Sequence, residues 1–246
     1  MSDYFISQLP AGLIVHDSVE HRLLAEYGSM LVARGGVDVP STVVFKDEEE
    51  VLGFQSKLDV SSEFIGGLSM ELQTAAMTAL RAALVDAKAS DLSITPRDTD
   101  SARRNYHETV SLWASRVNPA LKYWVGKGRL SQAKADQIEA MSPYEQLPEV
   151  LKLEENGIFF AKDFTKSIIY SVAPPGASQH LSMLAFDVKE HENSRVRDLL
   201  AKHKWYQTVV SDLPHFTYLG VNESELHGLG LKNIAEAGRT FWVPDI

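Results

Sequence analysis

Apolar residues recur along this chain with two periods, one helical and one alternating, and the changes between them mark out its elements. Between 68 and 88, Leu68, Leu72, Ala76, Leu80, Ala83 and Ala87 lie on one stripe, which predicts a core helix with Met70 and Met77 as packing residues. Tyr106, Val110, Trp113 and Val117 fall at helical spacing and predict a long helix over 101–117, capped by Thr99 or Asp100 and ended by Asn118-Pro119. A short helix is predicted over 131–140. Ser142-Pro-Tyr-Glu145 has the form of a capping box with proline at the first helical position, so another helix starts there, breaks near Pro148 and stops at Gly157. Asn193 caps a helix that turns Val196, Leu199 and Leu200 inward. The run Asp47-Glu-Glu-Glu50 opens a short helix toward Lys57, with its negative charge at the favourable end.

Short β-rich runs supply the strands: 41–45, 92–97, 167–172, 183–188, 205–210 and 215–219, the last two pairing as a hairpin around Asp212. The expected fold class is α+β, a small antiparallel sheet with helices packed mainly on one side. Residues 1–90 are expected to form a mostly helical N-terminal extension packed on the core. Residues 91–246 form the main domain, with a helical insertion at 120–157. The apolar tail Phe241-Trp-Val-Pro244 is expected to dock on the core.

Composition narrows the function classes. A net charge of −9 and a pI near 5.4 argue against a nucleic-acid-binding surface, which needs clustered Lys and Arg, though a local basic pocket remains compatible. Without cysteine the chain has neither disulfides nor thiolate chemistry. No apolar run reaches the length of a membrane span. The start, Met1-Ser-Asp-Tyr-Phe5, lacks the basic and apolar stretches of a signal peptide.

The candidate chemistry lies in Ser178-Gln-His180-Leu-Ser-Met-Leu-Ala-Phe-Asp187 and in Asp212-Leu-Pro-His215. A zinc hydrolase takes three protein ligands from His and Asp/Glu, leaves one position for water, and needs a further carboxylate to accept a proton from that water. His180, Asp187 and His215 suit the first role and Asp212 the second. His180 and Asp187 are seven apart, so one regular strand would point them to opposite faces; a loop running into a strand is required, and Pro174-Pro-Gly176 favours it. Pro214 cannot donate to a ladder, so a strand starts at His215 with Asp212 in the turn before it. Taken alone, Asp212-x-x-His215 equally describes a turn with a capping aspartate.

The stretch Ala173–Val188 resembles the zinc motif of the D-alanyl-D-alanine carboxypeptidase family, which includes VanY-type carboxypeptidases and L-alanyl-D-glutamate endopeptidases. The family pattern, roughly P-G-x-S-x-H-x-x-G-x-A-x-D, is matched at Pro175, Gly176, Ser178, His180, Ala185 and Asp187; Met183 stands where the family has glycine. Asp212-Leu-Pro-His-Phe-Thr-Tyr-Leu-Gly220 is similar to the second family motif, preceded by Trp205-Tyr-Gln-Thr208. Leu92-Ser-Ile-Thr-Pro-Arg97 is similar to the strand that carries the family's oxyanion arginine. The likeness covers about residues 91–220. It implies a hedgehog-like peptidase fold and a zinc cofactor held by His180, Asp187 and His215. In that reading Asp212 is the base, Arg97 the oxyanion donor and Ser178 a substrate contact or a turn hydroxyl. The implied substrates are peptidoglycan peptides and the implied location is periplasmic or extracellular. Terminal D-Ala-D-Ala hydrolysis leads. L-Ala-D-Glu cleavage and a zinc-bearing domain that binds without hydrolysing are the alternatives.

Overall fold

Among the described residues strand pairing is confined to antiparallel ladders of six residue pairs or fewer, so helices and loops supply most of the frame. The computed structural model describes residues 4–246. In chain order the elements are α1 (Tyr4–Gln8), α2 (Ser18–Tyr27), α3 (Glu48–Gln55), β1 (Val60–Ile65), β2 (Leu68–Gln73), α4 (Thr74–Ala89), α5 (Tyr106–Gly126), α6 (Gln132–Glu139), α7 (Pro143–Glu154), β3 (Ala185–Asp187), α8 (Ser194–Lys202), β4 (Trp205–Tyr206), β5 (His215–Tyr218), β6 (Leu231–Glu236) and β7 (Arg239–Pro244). The class is α+β, as the patterning predicts. Among the described residues the β content is three small sheets, β1-β2, β3-β5-β4 and β6-β7, where one is expected from the patterning.

The chain forms two compact units, one from residues up to 43 with 52–104 and 179–246, the other from 44–51 with 105–178. The first unit has a continuous apolar core. Ala76, Met77, Leu80, Ala83 and Ala87 of α4 enter it with Phe186, Trp205, Phe216 and Trp242 of the strands. The predicted stripe over 68–88 is split in the structure: its first part is β2, and only the part from Thr74 is helix. Val60 pairs with Gln73 and Ile65 with Leu68, so Gly66 and Gly67, both at positive φ, turn a hairpin that claims the segment before a helix can form. The tail docks as expected, as strand β7 with Phe241 and Trp242 buried.

In the second unit α5 is capped by Asn105, which makes a reciprocal capping box with Glu108, and it runs through Pro119 to Gly126. Thr99 and Asp100 do not cap it. Pro119 is tolerated because both it and Ser115, whose carbonyl loses its partner, are exposed. Pro148 likewise sits on the exposed side of an unbroken α7, whose Ser142–Glu145 capping box is present as predicted. The strand expected at 167–172 is a short 3₁₀ turn, Ile168–Tyr170. Its amides are taken elsewhere: the buried Glu154 carboxylate accepts from Ile168 N at 2.7 Å, from Phe160 N at 3.2 Å and from the Ser167 hydroxyl. Residues 41–45 are also not a strand; Phe45 N donates to Gly176 O at 3.1 Å. Gly176 is required there. Its φ is +86°, and a Cβ would lie 2.0 Å from Phe45 O.

Candidate metal centre

The first unit builds a buried cluster from two adjacent strand ends and one tight turn. In the β3–β5 ladder Asp187 pairs directly with His215, so both side chains leave the same face of the sheet. His180 arrives from a 3₁₀ turn, Gln179–Ser182, that precedes β3. That turn reverses at Met183, whose φ is +59° and whose N–H bonds back to His180 O at 3.2 Å. A β-strand alone would have sent His180 and Asp187 to opposite faces; the turn brings them together, as the spacing requires. Met183 keeps the left-handed conformation that glycine adopts freely, and its side chain is buried.

His180, Asp187 and His215 are all buried, and one ligand atom from each lies within 4.8 Å of the others. His180 Nε2 is 3.3 Å and His215 Nδ1 3.1 Å from Asp187 Oδ1. Ligands about 2.0–2.1 Å from a tetrahedral ion sit roughly 3.3 Å apart, so these separations suit one.

The hydrogen bonds around the cluster fix which atoms face inward. His180 Nδ1 donates to Ala102 O at 2.7 Å, leaving Nε2 with its lone pair toward Asp187 and without a hydrogen-bond partner. Gln179 Nε2 donates to Tyr27 O at 2.8 Å, which turns its carbonyl oxygen toward His215. That oxygen accepts from His215 Nε2 at 2.9 Å, so Nδ1 is the nitrogen that faces Asp187 Oδ1, at hydrogen-bonding distance. Arg104 donates to Asp187 Oδ2 at 2.9 Å and leaves Oδ1 for the interior. Two imidazole nitrogens and a carboxylate oxygen thus converge on one interior point. Such an arrangement suits a cation, held by oriented ligands of the kind outer-sphere bonds provide.

The electrostatics agree. Burial pushes the His180 imidazole down, against the pull of Asp187, and so favours the neutral ring a metal needs. Burial would raise the Asp187 carboxyl, but the two neighbouring imidazoles, His180 first, outweigh it and hold the group well below the usual carboxylate range. The three residues can therefore hold a metal ion.

The other sequence-predicted residues lie at defined places. Arg97 follows an isolated bridge, Pro96 to Val188, and its N–H donates to Asp187 O at 3.0 Å; its side chain is exposed. The 92–97 strand is reduced to that bridge, since Thr95 N and Oγ1 are taken by the Glu190 carboxylate. Asp212 occupies the turn before β5, half-buried, with its carbonyl accepting from His215 N at 3.1 Å. Arg97 and Asp212 act with opposite sign on one neighbour, the His191 imidazole, whose own burial lowers its pKa first. Ser178 is buried two residues before His180 and falls in the other unit. Patterning missed Gln179 and Arg104. Gln179 lies inside the quoted motif but carries no ligand chemistry of its own, and Arg104 was read as part of a helix.

No helix among the described residues is long and apolar enough to cross a membrane. No protein family, curated protein or solved structure matches the chain.

Proposed function

We propose that this protein is a zinc-dependent peptidase acting on peptidoglycan peptides, with the D,D-carboxypeptidase reaction as its activity and a hedgehog-like peptidase fold around the metal. The observation that carries this reading is the convergence of His180 Nε2, Asp187 Oδ1 and His215 Nδ1, with both imidazoles turned by partners on their far side. Two imidazoles and one carboxylate, without thiolate, are a hydrolytic rather than a structural zinc set.

When bound, zinc supplies a water acidified toward neutral pH and a polarised scissile carbonyl. The chain's own groups do the rest. His180, Asp187 and His215 hold the ion. Asp212, three residues before one ligand, accepts the water's proton and returns it to the leaving amine. Arg97, bonded through its backbone to a second ligand, sets its charge against the developing oxyanion. Ser178, two residues before His180 in sequence, is the substrate contact that the resemblance implies.

The test pairs two measurements on the full chain. Elemental analysis after purification and zinc dialysis should give about one zinc per chain. Digestion of a pentapeptide ending in D-Ala-D-Ala should release free D-alanine by mass spectrometry. Release at L-Ala-D-Glu instead would move the activity to the endopeptidase reaction. Zinc bound without cleavage of either bond would favour a binding domain, and failure to take up zinc would remove the reading altogether.

A further inference from the structure

The chain as a whole is acidic, with a net charge of −9, yet one face of the second unit reverses that balance. Leu112, Arg116, Tyr123 and Lys127 follow one another along α5 and its C-cap at spacings of four, seven and four, so they share one stripe roughly 22 Å long. The core side of the helix is a different one, carrying Trp113, Val117, Ala120 and Trp124. Leu112 is 36% and Tyr123 38% exposed. The one acid within the helix is Glu108, at its other end, held in the capping box with Asn105.

Contacts with this stripe gather further segments beside it. The Phe164 ring stacks on Tyr123 with centroids 4.4 Å apart. Phe164 belongs to a tight turn, closed by Ala161 N on Lys166 O at 3.2 Å and Phe164 N on Ala161 O at 2.8 Å, so the stack also carries Lys162 and Lys166 to this face. Arg116 Nε donates to Ser171 Oγ at 3.0 Å, which brings Tyr170, 41% exposed, alongside. The Lys127 ammonium stands over the Tyr123 ring, 5.4 Å from its centre, and the Arg129 guanidinium over Trp124 at 5.3 Å.

The positive charge here is free. Arg116, Lys122, Lys127, Arg129, Lys162 and Lys166 have no carboxylate within ion-pair distance among the described residues; Arg116 bonds to the hydroxyls of Ser115 and Ser171, and Arg129 to the carbonyls of Asn156 and Gly157. Beside them in sequence stand two exposed carboxylates, Glu155 and Asp163, the second accepting from Thr165 N at 3.2 Å. A soluble polyanion would satisfy the cations and leave Leu112, Tyr123 and Tyr170 in water. A stacking nucleobase needs an open ring, and Phe164 and Lys127 already occupy that of Tyr123. An anionic bilayer surface meets both demands: lipid phosphates face the cations, while the apolar side chains and the lysine stems enter the headgroup level.

We propose that this face of the second unit docks peripherally on an anionic lipid bilayer, with Leu112, Tyr123 and Tyr170 at the headgroup level and Lys122, Lys127 and Lys166 on the lipid phosphates. Every residue it uses belongs to the second unit, so it stands independently of the metal reading.

Sedimentation of the full chain with lipid vesicles tests it. The chain should pellet with vesicles of phosphatidylglycerol and phosphatidylcholine in equal parts, remain in solution with phosphatidylcholine alone, and leave the mixed vesicles as salt is raised. Lys122→Gln combined with Lys166→Gln removes two exposed charges and should weaken partition on the order of 20-fold, about fivefold per charge. Should the pair fail to fold, Lys122→Gln alone should still weaken it about fivefold. Leu112→Ser, which leaves the charge unchanged, should weaken it severalfold. No partition at millimolar lipid, equal partition into both kinds of vesicle, or partition indifferent to the lysine substitutions would overturn the proposal. Leu112→Ser partitioning like the parent, or soluble polyphosphate bound as tightly as the mixed vesicles, would overturn it as well, because charge alone would then account for the patch.

Discussion

The side-chain oxygen of Gln179 accepts a hydrogen bond from His215 Nε2 at 2.9 Å, and that bond decides which nitrogen of His215 faces Asp187. The amide cannot easily be turned the other way, because its nitrogen donates to Tyr27 O at 2.8 Å. The same oxygen also accepts from Thr217, opposite Ala185 in the β3–β5 ladder. A residue with no metal-binding chemistry thus sets the orientation of one that has it.

Gln179→Leu should therefore weaken zinc binding about 10–100-fold, the usual effect of removing an outer-sphere partner. It should also lower stability by about 1–3 kcal/mol, because the buried His215 and Thr217 donors lose their acceptor. Competition with a chromogenic chelator measures the first effect and denaturant unfolding the second. Unchanged zinc affinity would mean that His215 keeps its orientation without Gln179.

Arg104→Ala should show its cost mainly in the metal-free protein. Arg104 is bonded to Asp187 at 2.9 Å and also reaches Asp100 at 3.2 Å, with little of its side chain exposed. Without it, a buried carboxylate loses the guanidinium bonded to it, at a cost of about 3–5 kcal/mol. A bound zinc ion supplies replacement charge to the same carboxylate. The drop in melting temperature should thus be larger in chelator than in excess zinc. Equal drops in both conditions would show that Arg104 acts through packing alone.

Met183 allows a direct trial of strain against packing. Its φ of +59° costs about 1–2 kcal/mol relative to glycine. Its side chain, 1% exposed, contributes more than that: removing a buried Met side chain costs about 2–5 kcal/mol. Met183→Gly should consequently destabilise the protein while leaving zinc affinity near its original value, since the turn between His180 and Asp187 is kept. A gain in stability would show that the strain is the larger effect.

The motif residues were legible because their spacing admits few geometries. A His–Asp separation of seven with Pro-Pro-Gly ahead of it forces a turn before the strand, and Pro214 sets the start of β5. Capping was equally local: Ser142 with Glu145 and the Asn193 cap appear where they were read. What could not be read was where backbone groups find partners far away in sequence. By patterning, residues 101–104 belong to the first turn of the long helix. Yet Ser101 O accepts from Asp187 N at 2.8 Å and Ser101 Oγ accepts from Asp98 N at 2.7 Å, so this segment is held against β3 and helix begins only after Asn105. Ile168-Ile-Tyr170 has strand composition, but Glu154, fourteen residues before Ile168, takes the amide that a ladder would use.

The decisive contrast for the proposed chemistry is between Asp212 and His215, three residues apart in one turn. Asp212→Asn should keep zinc and lose roughly 10²–10⁴-fold in hydrolysis, because the amide preserves shape but cannot take the water's proton at neutral pH. His215→Ala should lose zinc, because it removes one of three converging ligand atoms. Arg97→Ala should keep zinc and lose about 10²–10³-fold, the share of an oxyanion donor. Its backbone bond to Asp187 O does not depend on the side chain, so the metal site stays intact in this variant. Digestion of the D-Ala-D-Ala pentapeptide and zinc analysis on the same samples separate the roles. An active Asp212→Asn would refute the base assignment, and a zinc-depleted one would make Asp212 a ligand. A fully active Arg97→Ala would leave Arg97 as an exposed strand-end residue and require another donor for the oxyanion.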